Sequence, residues 1–280
     1  MNAAPLPDPR ETEALLRLID DPDEQVYHIV AERIKAFGSA VIPLLDSLKF
    51  QIPSPALHQR IDALVMDIQY DEIFLRWKSW KSISENTLLE ACLLMSSLAL
   101  PSAWLLADAD SLRQDLEAEL SRMSRHIWIK LNPQMHHTEL IMKMNWVFFD
   151  QLGFRIVSDK NLVPESFLIH RALESREAHG LMLAAIYLIM GKRLELPLVA
   201  YAYPGGFMPG CPGPQGFYIN IQQRGEMLKP PTGQDKLSEA DNNYLAGILL
   251  QGLMQSFQHL NMKRQAGECA RIVHLLSNPE

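Results

Sequence analysis

Residues Arg176 to Phe207, REAHGLMLAAIYLIMGKRLELPLVAYAYPGGF, constrain the fold more than any other stretch. Leu181–Met190 is uninterrupted by charge. It is too short to span a bilayer and therefore reads as a helix buried inside a soluble core. Gly180 stands at the expected start of that helix. Glu195-Leu196-Pro197 ends it, because proline cannot continue the hydrogen-bond ladder. Leu198–Tyr203 then reads as a buried strand, closed by Pro204-Gly205-Gly206. A second strand is expected at Phe217-Tyr218-Ile219-Asn220-Ile221. Between them, Pro204–Gly216 is so rich in proline and glycine that it reads as a flexible loop.

Most of the remaining chain has helical periodicity. Residues 1–10 are proline-rich and read as loosely ordered. Leu15, Leu16, Leu18 and Ile19 mark a short helix stopped by Asp20-Asp21-Pro22-Asp23. Val26, Ile29, Val30, Ile34 and Phe37 share one face of the next, which ends at Gly38. Val41, Leu44, Leu45 and Leu48 mark a third. Ser54-Pro55 supplies an N-cap and a first-turn proline for a helix carrying Leu57, Ile61, Leu64, Val65 and Ile68. Ile73, Phe74, Trp77 and Trp80 form an aromatic stripe, read as packing, and the polar stretch Lys78–Ser84 is the expected domain boundary. Further helices are expected over 86–98, over Leu112 to Leu131 after an interruption at Pro101, and over 138–152, ending at Gly153. Phe154–Val163 reads as a surface loop, and Lys229–Gln234 as a linker. Helices 240–260 and 262–276 read as an antiparallel hairpin.

Composition excludes several roles. The net charge of −7 and the lack of a basic, aromatic-interleaved stripe argue against nucleic acid. Cys92, Cys211 and Cys269 show neither C-x-x-C pairing nor metal-ligand spacing. Cys92 reads as a small buried hydrophobe. His136-His137 and His170 read as surface residues. The N-terminal stretch has no signal-peptide pattern, so a reducing, cytoplasmic setting without membrane insertion is expected. Neither cofactor nor metal is expected.

Three resemblances extend this reading. LLRLIDDPDEQVYHIVAERIKAFGSAVIPLLDSL resembles a HEAT-type repeat, with an arbitrary helical hairpin as the alternative. The terminal hairpin resembles a tetratricopeptide-like pair. From Asn86 onward, NTLLEACLLMSSLALP, KMNWVFFDQLGF, AIYLIMGKRLELP and GFYIN resemble the bacterial SirB-type transglutaminase-like family. This implies an α+β, predominantly helical chain: a HEAT-like segment (1–84), a transglutaminase-like, papain-like core with a small antiparallel sheet (85–235), and a C-terminal helical hairpin (236–280).

The resemblance also implies where a Cys-His-Asp site would stand. The thiol belongs at the start of the helix preceding Pro197, which is Gly180 here. The histidine belongs in the phrase that reads Gly205-Gly206-Phe207, at Gly206, and the aspartate belongs at Asn220. Glycine has no nucleophile or base, and an amide cannot stabilise an imidazolium by charge. The expected cleft is lined by His179, Tyr187, Phe207, Cys211 and Tyr218. The implied function is a catalytically inactive module that binds a protein or peptide. The alternatives are a purely structural role, or a cysteine-type hydrolase or transferase with Cys211 as displaced nucleophile and His179 as its base.

Overall fold

The computed structural model describes residues 9–99, 108–132, 134–158, 162–229 and 237–278. Residues 1–8, the interruption at Pro101 and the linker from Pro230 onward lie outside the described residues. Two compact units emerge: the first runs through Arg76, and the second takes Trp77–Ala99 and everything from Ala109.

The first unit is built from α1 (Pro9–Leu18), α2 (Glu24–Lys35), α3 (Ile42–Gln51) and the beginning of α4 (Pro55–Ser82). Asp23 caps α2, its carboxylate accepting from Gln25 N–H at 2.8 Å. Ile19, Val30, Ile34, Val41, Leu45, Leu57, Ile61 and Leu64 form the core, as their periodicity predicts. Arg60 on α4 ties down the α1–α2 turn. Its guanidinium donates to Asp21 O at 2.7 Å and lies over the Tyr27 ring at 4.5 Å. The helix α4 does not stop at Lys78 but continues through Ser82.

The second unit contains α5 (Leu88–Ala99), α6 (Asp108–Trp128), α7 (His137–Asn145), β1 (Arg155–Ile156), α8 (Ile169–Ser175), β2 (Glu177–Ala178) and α9 (Gly180–Arg193). These are followed by β3 (Val199–Tyr203), β4 (Gly206–Cys211), β5 (Phe217–Asn220), β6 (Glu226–Leu228), β7 (Ser238–Glu239), α10 (Asn242–His259) and α11 (Lys263–Ser277). The fold is therefore predominantly helical α+β with a small sheet. Helix α9 is its centre: every residue from Met182 to Gly191 is buried. A helix apolar on all sides needs neighbours all round, and α9 packs on β4, α5, α8 and α10.

The five-stranded sheet is antiparallel throughout, in the order β6-β5-β4-β3-β7. Its middle strand corrects the flexible-loop expectation, since Gly206–Gly210 pairs with β3 and Gly210–Cys211 with β5. Pro209 misled the reading, because proline is rare inside sheets. The register explains why it is tolerated. Ala240 N–H donates to Ala200 O, so Ala200 directs its backbone groups toward β7 and makes a non-hydrogen-bonded pair with Pro209. On the other side, the β4–β5 ladder covers only Gly210 and Cys211. The missing N–H of Pro209 thus falls where no ladder bond is required.

Other expectations are also modified. The helix expected over 138–152 changes at Asn145 into a π-helical turn, Trp146–Gln151, with Leu152 N–H donating to Val147 O. That turn brings Phe148 into a stack with Phe154 (4.3 Å) and edge-on to Tyr187 (5.4 Å). The supposed surface loop after Phe154 begins with β1, which pairs in parallel with β2. His170 is not a surface residue. It is half-buried, its Nδ1 lies 3.2 Å from Ser96 Oγ, and burial first and Arg171 second lower its pKa. Cys92 is fully buried, as expected, and burial pushes its thiol up to about 12.

One ion-pair network joins α6 to the start of the central stretch. Glu119 accepts from Arg122 at 2.7 and 2.8 Å and also from Arg176, whose guanidinium lies over Phe154. The hydrogen bond from Arg122 is the main cause holding the Glu119 carboxyl at about 2, below its ordinary 4.5. A carboxyl lowered on folding contributes stability above its unfolded pKa and loses it as pH falls through the folded one. Glu119→Gln should therefore cost about 1 kcal/mol at pH 7, given solvent screening of the partly exposed group. The difference from the parent should vanish between pH 4.5 and 2, as urea titrations would reveal.

Candidate functional site

The start of α9 is arranged as the sequence suggests. His179 is the N-cap residue, its Nδ1 accepting from Leu181 N–H at 3.2 Å. Its backbone N–H donates to Ser166 O at 2.9 Å, and its ring stacks on Phe167 at 4.5 Å. Asn220, at the end of β5, turns the chain. Its Oδ1 accepts from Gln222 N–H at 3.1 Å and its Nδ2 donates to Gln223 Oε1 at 3.0 Å. Tyr244 of α10 pins the β3–β4 hairpin by donating to Tyr203 O and lying within 3.2 Å of Gly206 O.

Gly180, Asn220, His179 and Phe207 line one groove of about 160 Å³. Gly205 and Phe207, on either side of Gly206, both face it. A neighbouring groove of about 360 Å³ shares His179, Leu181 and Gly205 and extends along α10 to Gln251 and Gln255. Among the described residues no Asp, Glu, Lys or Arg lines either groove.

Other side chains occupy the space beside both glycines. A Cβ at Gly180 would lie 2.5 Å from Gln222 Nε2, and one at Gly206 would lie 2.3 Å from Tyr203 Cζ. Gln222 is exposed and its amide is the far end of a flexible chain, so it can swing aside. Tyr203 covers Gly206 with the far end of its ring, and Tyr244 holds the Tyr203 carbonyl. A side chain at Gly206 would therefore require the Tyr203 ring to turn away.

Three expected cleft residues lie elsewhere. Tyr187 is fully buried about 10 Å along α9 from Gly180. Its hydroxyl donates to Asn145 Oδ1 at 2.7 Å. Burial, and then the neighbouring Cys211, raise its pKa well above the ordinary tyrosine range. Tyr218 is buried, its hydroxyl accepting from Leu237 N–H at 3.2 Å. Cys211 is 3% exposed, at the far end of β4. It stands four residues beyond Phe207, about 13 Å along the strand. A Cys211–His179 pair would need hydrogen-bond reach, whereas His179 lines the groove and Cys211 ends the strand beyond it. Burial also pushes the Cys211 thiol up to about 11, the opposite of activation.

The sequence reading missed the largest of these hollows, at the opposite end of α9. A cleft of about 850 Å³ opens between α5, α6, the α9 C-terminus, β3 and the start of α10. Leu188, Leu196 and Leu198 are among its apolar lining. At its rim Arg113 makes a two-pronged bond to Glu90 (2.7 and 2.8 Å), and Arg193 pairs with Glu117. The lone signal in sequence was the charged end of an otherwise apolar helix, Lys192-Arg193. Among the described residues no group of three or more His, Cys, Asp or Glu is placed to hold a metal ion. No described helix is long and apolar enough to cross a membrane.

A buried helix whose N-terminus faces a small antiparallel sheet is the arrangement of transglutaminase-like proteins, and comparison with known proteins agrees. The model of the transglutaminase-like superfamily matches residues 114–253, half of the chain, which therefore belongs to that superfamily. More particularly, the chain is similar to UPF0162 protein PA3419 of Pseudomonas aeruginosa, with 28% identity over 181 residues. That match takes in 63% of this chain and 58% of the relative's length. No solved structure matches the chain.

Proposed function

We propose that this chain is a catalytically inactive, SirB-type member of its superfamily that works by binding a protein or peptide. The observation that carries the reading is the content of the α9 groove. Gly180, Gly206 and Asn220 stand where acyl transfer requires a nucleophile, a base and a charged orienting group. Gln222 and Tyr203 take up the space beside the two glycines. Both therefore leave little room there for a thiol or an imidazole. The adjoining groove, lined among the described residues by Gln251, Gln255, Leu162 and Phe167, offers hydrogen bonds and apolar contact. In this reading the HEAT-like helices (1–84) and the tetratricopeptide-like hairpin (236–280) each supply further binding surface.

The test is an acyl-transfer assay on the full chain, following incorporation of a fluorescent amine into a glutamine-containing peptide and hydrolysis of a p-nitrophenyl ester. Both rates should equal the rate without protein. A rate above background that Cys211→Ala abolishes would overturn the inactive reading. Gly180→Cys combined with Gly206→His and Asn220→Asp is also expected to show no gain, because Tyr203 occupies the place of the imidazole.

A further inference from the structure

Away from both grooves, the second unit carries a surface patch of unusual composition. Trp128 is 67% exposed and Ile129 63%, at the C-terminal end of α6. On α7 and the turn after it, Met142 is 58% exposed and Trp146 43%. Spaced four residues apart on one helical face, Met142 and Trp146 are neighbours. The two helix ends meet there, because Lys130, two residues past Trp128, places its ammonium 6.0 Å from the Trp146 ring centre. Lys143 lies over the same ring at 5.7 Å. Single exposed apolar residues are ordinary; four large ones at two adjoining helix ends, two of them tryptophan, mark a contact surface.

Charge defines what the patch fits. Arg125, Lys130 and Lys143 are exposed, and none has a carboxylate within salt-bridge distance among the described residues. Of the acids beside them, Asp150 pairs with Arg224, and Glu139 caps the start of α7, its carboxylate accepting from His136 N–H at 3.2 Å. Three cations without a carboxylate partner among the described residues thus frame tryptophan, isoleucine and methionine on a chain whose net charge is −7. We infer that this patch docks a short segment of another protein in which acidic residues alternate with apolar anchors. The exposed apolar area amounts to a few hundred Å², below what a stable globular interface uses, so a short peptide held at micromolar affinity fits better than a rigid face. An anionic bilayer is disfavoured, because the acidic body of the molecule would be repelled from it. A second copy of this chain would have to bring its own acidic segment to the patch.

The inference extends the protein-binding reading but uses a different surface, so acyl-transfer activity would sink that reading and leave this one standing. The test is selection of a random twelve-residue peptide library on the full-length protein, followed by titration of the enriched peptides by tryptophan fluorescence. The expected pool is rich in Asp and Glu interleaved with Leu, Phe or Trp. Its binding should weaken at least tenfold in Lys130→Glu/Lys143→Glu and in Trp128→Ala/Trp146→Ala. It should weaken several-fold between 50 and 500 mM salt, about the dependence expected of screened ion pairs. Lys130→Gln/Lys143→Gln, which cannot create new repulsion, should give an intermediate loss, and circular dichroism verifies folding of every variant. No enrichment, a pool without acidic bias, binders indifferent to these substitutions, patch-dependent self-association, or binding to phosphatidylserine vesicles alone would each overturn the inference.

Discussion

Iodoacetamide at pH 7 should alkylate Cys211 in the native protein at least about 100-fold more slowly than the same thiol in the urea-unfolded chain. The reacting species is the thiolate, and burial raises the thiol from 9.0 to about 11. Two decades of pKa reduce the thiolate population about 100-fold at neutral pH. Access slows it further, since Cys211 is 3% exposed on a paired strand and reaction requires part of the sheet to open. Cys92 and Cys269, both fully buried and both near 12, should react no faster. Mass spectrometry of peptides from brief native labelling would separate the three. Native Cys211 reacting as fast as the unfolded control would contradict the buried-strand geometry and reopen nucleophilic catalysis at that position.

Cys211 also shows how far local reading of the sequence reaches. The start of α9 was legible, because an apolar run with a small residue before it and Leu-Pro after it has one consistent interpretation. The two terminal helices and the core of the first unit were legible for the same reason: their periodicity is strong and local. Strand β4 was not. Gly206, Pro209 and Gly210 have turn-forming preferences, and the strand exists only because β3 and β5 lie beside it in a register that spares Pro209 an unmet hydrogen bond. The site divides in the same way. Gly180 and Asn220 share a groove because they sit at the ends of elements with clear boundaries. Tyr187 was assigned to the cleft because position along a helix does not reveal which face meets which neighbour. The roles of Gln222 and Tyr203 follow from tertiary contacts alone. The charged cleft at the other end of α9 draws residues from elements scattered between Thr87 and Leu245, a juxtaposition that spacing within one segment cannot disclose.

Asn145→Ala should destabilise the protein by about 3 kcal/mol, because it strands two buried groups at once. The Asn145 side chain accepts from Tyr187 O–H and donates from Nδ2 to Gly225 O, each at 2.7 Å. Alanine would leave the Tyr187 hydroxyl without its acceptor at a position with 0% exposure, and Gly225 O without its donor. Tyr187→Phe removes only one donor and preserves the ring's packing against Phe148, so it should cost about 1 kcal/mol. The double variant should cost less than the two separately, since the stranded tyrosine hydroxyl disappears with its acceptor. Gly225→Ala should be at least as damaging as Asn145→Ala. Its φ of +82° suits glycine, and an added Cβ would lie 2.3 Å from Asn145 Oδ1. Urea unfolding of the parent and the four variants measures these differences, and an unchanged midpoint for Asn145→Ala would show that the network does not hold the fold. The effect should also reach the groove. Gly225 N–H donates to Asn220 O at 2.9 Å, so this network anchors the turn that presents Gln222 to the start of α9. Loosening it should raise amide hydrogen exchange at Gln222 and Leu181 before the rest of the sheet opens. Faster exchange there would establish the turn as the element that keeps the groove filled, and exchange matching the parent would show that Gln222 is held by contacts other than these.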